Sequence, residues 1–142
     1  MAVDGELVKR KLALILDDLE KLRSLAGVSR EEFVSDYHPR LMVERLLERV
    51  IGRMIDINYH LLTETRLTIP KDYYESFLRL ADLEILSPDE ARKFAQLAGL
   101  RNRLAHEYNN LDDRKLFDAF QTTMSVLPLY LKAVERFLTG NS

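Results

Sequence analysis

The chain has no cysteine and no tryptophan, and its 142 residues include only five glycines and four prolines. Without cysteine it can form no disulfide, offer no thiolate to a metal and use no cysteine nucleophile, which fits a reducing compartment. No apolar run approaches the ~20 residues that cross a bilayer, and the N-terminus lacks the apolar core of a signal peptide. We therefore predict a cytoplasmic protein with no membrane partner.

An excess of charge of one sign is also missing. Lys and Arg number 21 against 23 Asp and Glu, which gives a formal net charge of -2, so the chain as a whole does not attract nucleic acid. A nucleic-acid function must therefore depend on a local basic patch. The length and the 46% hydrophobic content fit a single globular domain over residues 1–142.

The scarcity of helix breakers, together with the lack of segments that alternate polar and apolar residues, predicts an all-α fold. We expect an up-and-down bundle of four to five helices. The first helix is predicted from about Gly5 to Ala26, where apolar residues recur every three or four positions. Ser29 and Glu32 predict a capped short turn that ends before Pro39.

The next long helix is predicted from about Pro39 to Thr65. Its apolar residues cover more than one face, and they are Leu46, Leu47, Val50, Ile51, Met54, Ile55, Ile57, Leu61 and Leu62. A helix that is apolar over so wide an arc needs two burial partners. We take these to be the core and a second subunit, and so expect a homodimer.

The second half of the chain has clearer start signals. Pro70 predicts the start of one helix. Residues 87–90, Ser-Pro-Asp-Glu, predict the start of another, because they combine an N-cap, a proline at the first helical position and a glutamate at the third. That helix is predicted to stop near Asn109, and the last helix to start at Asp112 or Asp113.

Residues 101–108 carry the most specific chemical pattern, Arg-Asn-x-Leu-x-His-x-Tyr. Arginine is a permanent cation shaped to grip phosphate, and histidine exchanges protons near neutral pH. In a ribonuclease that needs no metal or other cofactor, a ribose 2′-OH would attack the phosphorus while His106 moved protons. Arg101 would stabilise the phosphoryl oxygens, and Asn102 would orient the imidazole or the phosphate. DNA lacks the 2′-OH and is excluded as a substrate.

Helical geometry separates these side chains. Arg101 and Tyr108 share a face, as do Asn102 and His106, but Arg101 and His106 diverge by roughly 140° at 3.6 residues per turn. One straight helix therefore does not point both at a single phosphate. Either the helix unwinds near His106, or a second copy of the chain completes the site.

The pattern at residues 101–108 resembles the signature of HepT-type ribonuclease toxins of the HEPN superfamily, and the resemblance covers most of the chain. The run Asp56-Ile57-Asn58-Tyr59-His60, the Tyr73/Tyr74 region and the acidic pair Asp112-Asp113 are also similar to that family. Residue 84 departs from it, since a glutamate stands where we expect a glycine in a turn.

The resemblance implies an all-α homodimer with an RNA-cleaving cleft between the subunits. It implies that Arg101 and His106 form the catalytic pair, with Asn102 in support. It also implies a partner, a small MntA-like nucleotidyltransferase antitoxin that transfers AMP from ATP onto Tyr108. A bulky anionic group there would block the cleft. Taken from the residues alone, Tyr108 is more simply an aromatic packed one turn from Leu104.

Several other residues are candidates for supporting roles. Asp56, His60 and Glu64 share a helical face, which we interpret as a polar face, since a structural metal site would need more ligands than they supply. Asp56 and His60 also resemble family positions, and this resemblance implies that they border the cleft. Three further cations near the motif could add an RNA-binding track, namely Arg92, Lys93 and Arg103. The ions Arg45, Glu48, Arg49 and Arg53 suggest surface pairs at helical spacing.

Two other functions compete with the ribonuclease. The chain could be a non-catalytic HEPN subunit that binds the substrate of a minimal nucleotidyltransferase, or a bundle that serves only oligomerisation. The first has no need of an Arg/His pair, and the second does not explain the motif. We therefore favour a metal-independent endoribonuclease that acts as the toxin of a toxin–antitoxin pair.

Overall fold

The computed structural model describes residues 3–65, 68–106 and 112–140, and it describes His106 through its backbone. These residues form six helices and no strand, which confirms the predicted all-α bundle. The four long helices are α1 (Gly5–Ser24), α3 (Tyr37–Glu64), α5 (Pro88–His106) and α6 (Asp113–Gly140). Two helices of six residues each lie between them, α2 (Arg30–Ser35) and α4 (Tyr73–Leu78), and a single 3-10 turn at Arg79–Ala81 extends α4.

The capping signals set most helix starts as predicted. The Ser87 hydroxyl accepts the backbone N–H of Glu90 at 3.1 Å, and the Glu90 carboxylate accepts the N–H of Ser87 at 2.8 Å. This reciprocal pair satisfies two N–H groups that a helix start leaves unpaired. At α2 the Ser29 hydroxyl likewise accepts the N–H of Glu32 at 3.1 Å. α6 begins at Asp113, one of the two predicted starts.

The predicted helix start at Pro70 is wrong by three residues. α4 begins at Tyr73 because the Asp72 carboxylate accepts the N–H of Glu75 at 2.8 Å and thereby caps the helix. An Asp at the N-cap outweighs a proline that is merely compatible with a first turn. The predicted stop near Asn109 lies outside the described residues.

Glu84, in the turn between the 3-10 turn and α5, has a φ of 58°. This is the left-handed region, which glycine enters at little cost and other residues at some cost. The N–H of Ile85 reaches back to the carbonyl of Leu80 at 3.1 Å and so closes the turn. Glu84 therefore occupies a position whose backbone favours the glycine that the family resemblance leads one to expect.

Helix α3 runs through the middle of the bundle and packs against all five other helices. Its eleven buried residues are Val43, Leu46, Leu47, Val50, Ile51, Met54, Ile55, Ile57, Asn58, Leu61 and Leu62. The chain's own helices therefore cover the wide apolar arc, and its breadth does not require a second subunit. None of the described helices is long and apolar enough to cross a membrane.

A series of buried hydrogen bonds connects three helices at the centre of the core. The Tyr130 hydroxyl, on α6, donates to the Asn58 side-chain carbonyl at 2.7 Å. The Asn58 amide on α3 donates to the Ser76 hydroxyl at 3.2 Å, and this hydroxyl donates to the carbonyl of Tyr73 at 2.7 Å. The three side chains that make these hydrogen bonds are fully buried. The first turn of α4, which carries Tyr73, is thereby fixed relative to α3 and α6.

Replacing Tyr130 by Phe should lower the free energy of unfolding by about 1 to 2 kcal/mol at neutral pH, because the Asn58 carbonyl loses its donor inside the core. Burial raises the pKa of Tyr130 well above its ordinary value of 10.0. Above pH 10 the unfolded state therefore releases this proton while the folded state keeps it, and wild-type stability falls. Tyr130→Phe lacks that loss.

The difference between wild type and Tyr130→Phe should consequently shrink as the pH rises past 10. Urea unfolding followed by circular dichroism at neutral and alkaline pH measures it. Tyr74→Phe is the matched control. Tyr74 is exposed, so this substitution should leave the free energy of unfolding unchanged at neutral and at alkaline pH. If the difference in free energy of unfolding between wild type and Tyr130→Phe stays constant with pH, the loss of stability above pH 10 does not come from Tyr130.

Candidate active site

Arg101 lies on α5 with its guanidinium over an aromatic ring. Its Cζ is 5.4 Å from the centroid of the Tyr73 ring, within the range at which a cation is attracted to a ring face. Its Nε is buried and has no hydrogen-bond partner within the described part of the chain. The ring thus holds the guanidinium without neutralising it, which leaves its charge available to an anion.

Tyr73 is in turn supported by Tyr59 from α3, whose ring meets it edge-on at 6.2 Å between centroids. Burial raises the pKa of the Tyr59 phenol above 10.0, and the neighbouring Tyr73 adds to the increase, as do the carboxylates of Asp72 and Glu75. Tyr59 therefore remains a neutral phenol around neutral pH. The aromatic pair forms a wall beside Arg101.

A groove of about 450 Å³ opens in front of this wall, between α3 and the residues on α4 and α5. Its lining residues are Arg45, Glu48, Arg49, Gly52, Arg53, Ile55, Asp56, Tyr59, Tyr73 and Arg101. Four of these ten are arginines, although the chain as a whole has a net charge of -2. The groove is the local basic patch that a nucleic-acid function requires.

Three of the arginines come from α3. The sequence alone predicts them only as members of ordinary surface pairs. Arg45, Arg49 and Arg53 recur every four residues, so they follow one face of the helix. That spacing was visible in the sequence. What was not visible is that this face of α3 turns toward Arg101, because the packing of α3 against α5 decides it.

A buried carboxylate lies beneath two of these arginines. Asp18 on α1 is 1% exposed, and its Oδ2 accepts from Arg53 Nη1 at 2.8 Å. Its Oδ1 lies 3.2 Å from Arg49 Nη2 and 3.7 Å from Lys21 Nζ, yet makes no well-aligned hydrogen bond. The contacts of Oδ1 with Arg49 and Lys21 are ion pairs, since charge attraction does not need hydrogen-bond alignment. Asp18 thus anchors Arg49 and Arg53 at the floor of the groove.

The two residues expected to border the cleft occupy different places. Asp56 lines the groove and pairs with Lys11 at 3.7 Å. His60 is not among the lining residues, and its Nε2 accepts the backbone N–H of Asp4 at 3.0 Å. His60 therefore fastens the start of α1 to α3. No group of three or more potential metal ligands occurs among the residues that the structure describes.

The remaining predicted site residues lie along α5. Asn102 and Arg103 are exposed next to Arg101. Arg92 and Lys93 are exposed about 13 Å further back along the helix, do not line the groove, and Arg92 pairs with Asp89. They are therefore separate from the basic groove.

The backbone of α5 stays helical through His106. The Cα–Cβ bonds of Arg101 and His106 consequently diverge by roughly 140°, and no unwinding brings them together within the described part of α5. The side chain of His106, and Tyr108 altogether, lie outside the described residues. Of the two arrangements open from sequence, completion by a second copy is the one that a regular helix favours.

Comparison with known proteins places the chain in a family. The family model "Ribonuclease HepT-like" matches residues 15–134. The chain belongs to the HepT-like ribonuclease family. This match confirms the predicted resemblance. It also confirms the prediction that the chain is an RNA-cleaving enzyme, which is the activity of its family.

Two named relatives are similar in sequence, and one solved structure is similar in fold. The chain is 31% identical to the tRNA nuclease HepT of Aphanizomenon flos-aquae over 136 residues, 96% of this chain and 92% of that protein. It is 25% identical to the mRNA nuclease HepT of Shewanella oneidensis over 108 residues, 76% and 80% of the two chains. A solved structure of the tri-AMPylated Shewanella oneidensis HEPN toxin in complex with the MNT antitoxin shares the fold, with a TM-score of 0.82 at 22% identity over 91% of this chain and 96% of that one.

Replacing Asp18 by Asn should lower the free energy of unfolding by about 2 kcal/mol, because Arg49 and Arg53 lose the buried anion between them. Asp17→Asn removes the same charge one residue earlier, at an exposed position, and should leave stability within about 0.5 kcal/mol of wild type. Urea unfolding of the two variants makes the comparison. Equal effects would show that Asp18 is not an anchor.

Proposed function

We propose that this HepT-like protein is a metal-independent endoribonuclease and the toxin of a toxin–antitoxin pair. One observation carries the proposal more than any other. The motif arginine, Arg101, lies in a groove with three further arginines, supported by an aromatic ring and with no carboxylate paired to it among the described residues. A cation kept available in a basic groove is suited to a phosphodiester.

The reaction is an attack of the RNA on itself. The ribose O2′ attacks the adjacent phosphorus and loses its proton, the P–O5′ bond breaks, and O5′ takes up a proton. The products are a 2′,3′-cyclic phosphate and a free 5′-OH. Arg101 stabilises the charge that grows on the non-bridging oxygens, while His106 carries out the proton transfers and Asn102 orients the phosphate or the imidazole.

A homodimer supplies the geometry that one helix lacks. Because α5 is regular through His106, Arg101 and His106 of one chain face different directions. Two copies related by a two-fold axis can place an Arg101 and a His106 from different chains on one phosphate. A helix dipole favours a protonated imidazole near the C-terminal end of the helix, which suits the proposed role of His106 as an acid.

The purified protein should cleave single-stranded RNA in the presence of EDTA. Arg101→Ala should lower kcat/KM by about a hundredfold or more through lost phosphoryl stabilisation. His106→Ala should lower it by a similar or larger factor through lost proton transfer. Cleavage of a fluorescent RNA, followed by gel electrophoresis with detection of the cyclic phosphate, measures both.

Arg136→Ala and His38→Ala are the matched controls, since neither residue lines the groove, and both should retain wild-type cleavage. Full activity in Arg101→Ala or His106→Ala with a folded chain, shown by circular dichroism, would remove that residue from the mechanism. The absence of cleavage by wild type would favour the non-catalytic accessory subunit instead.

The regulatory half of the proposal concerns Tyr108. A nucleotidyltransferase antitoxin of the MntA type would bring ATP to this phenol. The phenol oxygen attacks the α-phosphorus, pyrophosphate leaves and the phenolic proton is lost, so that AMP remains on the toxin. An anionic nucleotide on Tyr108, only seven residues from Arg101 in the sequence, competes with RNA for that cation. The AMPylated HEPN toxin bound to its MNT antitoxin supports this scheme by similarity of fold.

Incubation with the partner nucleotidyltransferase and ATP should add mass in steps of one AMP and abolish RNA cleavage. Tyr108→Phe should abolish this mass gain, because the accepting oxygen is gone. Intact-protein mass spectrometry is the measurement. Tyr37→Phe, at a tyrosine that is 55% exposed, is the control and should still be modified. Unchanged mass gain in Tyr108→Phe would move the site elsewhere.

A further inference from the structure

The groove contains more positive charge than cleavage of one phosphodiester requires. Arg101 alone can neutralise the scissile phosphate, yet Arg45, Arg49 and Arg53 line the same groove. Residues four apart on a helix are separated by about 6 Å along its axis. This step is comparable with the distance between neighbouring phosphates in an extended single strand. The row thus has the spacing of a nucleic-acid backbone.

The carboxylates in the groove do not cancel the row. Glu48 pairs with Arg45 at 4.0 Å, with the Arg45 side chain 69% exposed, and Asp56 pairs with Lys11 at 3.7 Å. In each pair one side chain is exposed and the other is 30% exposed, so solvent weakens the attraction and the pair can exchange. The lining of the groove has two more arginines than carboxylates. The buried Asp18 beneath it offsets one of these charges, so a net positive charge remains, and a strand of phosphates can displace the weak partners Glu48 and Asp56.

The floor of the groove is built to hold its cations in place. Arg53 is anchored by Asp18 and is 22% exposed at its side chain, while Arg49 is 37% exposed and reaches the same carboxylate. A buried carboxylate with two guanidiniums fixes their orientation. The long side chains have then already lost the rotamer freedom that a free surface arginine would lose on binding.

We propose that Arg45, Arg49 and Arg53 form a phosphate-binding track for the RNA strand next to the bond that is cut at Arg101. The inference rests on the proposed ribonuclease function, since it takes RNA as the ligand. The track binds two or three phosphates of a single strand in series and reads no base. It determines how RNA is held, and Asp18 is its positioning residue.

The test uses a ligand that cannot be cleaved, so that binding is measured apart from catalysis. The probe is a short fluorescent single-stranded RNA with 2′-O-methyl groups throughout, in which the attacking hydroxyl is blocked. Fluorescence anisotropy of the full-length protein gives Kd at several salt concentrations. The test variant is the double substitution Arg45→Gln and Arg49→Gln. The control is Lys132→Gln with Arg136→Gln on α6, which removes the same charge away from the groove.

The track variant should bind the probe about tenfold more weakly than wild type at low salt. Its slope of log K against log salt should be shallower by about 1.4, because each lost phosphate contact on a single strand removes about 0.7. In cleavage assays with unmodified RNA the loss should appear mainly in KM. The control variant should match wild type in Kd, slope and KM.

A track variant that keeps the wild-type slope and KM, in a protein that still cleaves RNA, overturns the track and leaves the ribonuclease proposal intact. A wild-type protein that binds the probe through the track but cuts no RNA retains the track and removes the ribonuclease. A variant that binds RNA normally but dissociates from its second copy in analytical ultracentrifugation assigns the row to a protein interface, which also overturns the track.

Discussion

Enclosure of α3 by the other five helices is the constraint on which the rest of the structure depends. Between Val43 and Leu62 only Arg45 and Asp56 are exposed, and the other residues are buried or half-buried. The half-buried residues near them continue this face, so α3 presents a polar face to solvent and an apolar face to the core. Burying the apolar face requires apolar side chains over about half of the circumference of the helix. Most of the charged residues in this stretch of α3 therefore lie on the polar face, which lines the groove.

The elements that sequence could predict were those set by local chemistry. The reciprocal cap at Ser87 and Glu90 depends on residues three apart, and so its start could be predicted to the residue. Pro70 misled because two start signals competed within three residues, and the side chain of Asp72 formed the cap. The all-α class followed from the spacing of apolar residues, which is also a local property.

In the candidate site, too, features set by local sequence could be predicted and those set by packing could not. The motif at Arg101 was readable because its residue types are rare in combination, whereas the partners of Arg101 were not. Tyr73 and the α3 arginines reach it from positions far away in sequence, through packing that no local pattern encodes. The breadth of the apolar face on α3 suggested a second subunit, but helices of the same chain cover that face. The case for a dimer passes instead to the regular backbone at His106.

The contact between the Asp4 amide and His60 Nε2 has a consequence for the proton chemistry. An N–H donates to that nitrogen at 3.0 Å, so its lone pair is occupied, and the neutral ring must carry its proton on Nδ1. His60 is therefore committed through Nε2 to the start of α1. His38 directs Nδ1 at the Asp36 carboxylate, 3.1 Å away, beside the start of α3. Two of the chain's three histidines are thus engaged at helix starts, and the third, His106, belongs to the motif on α5.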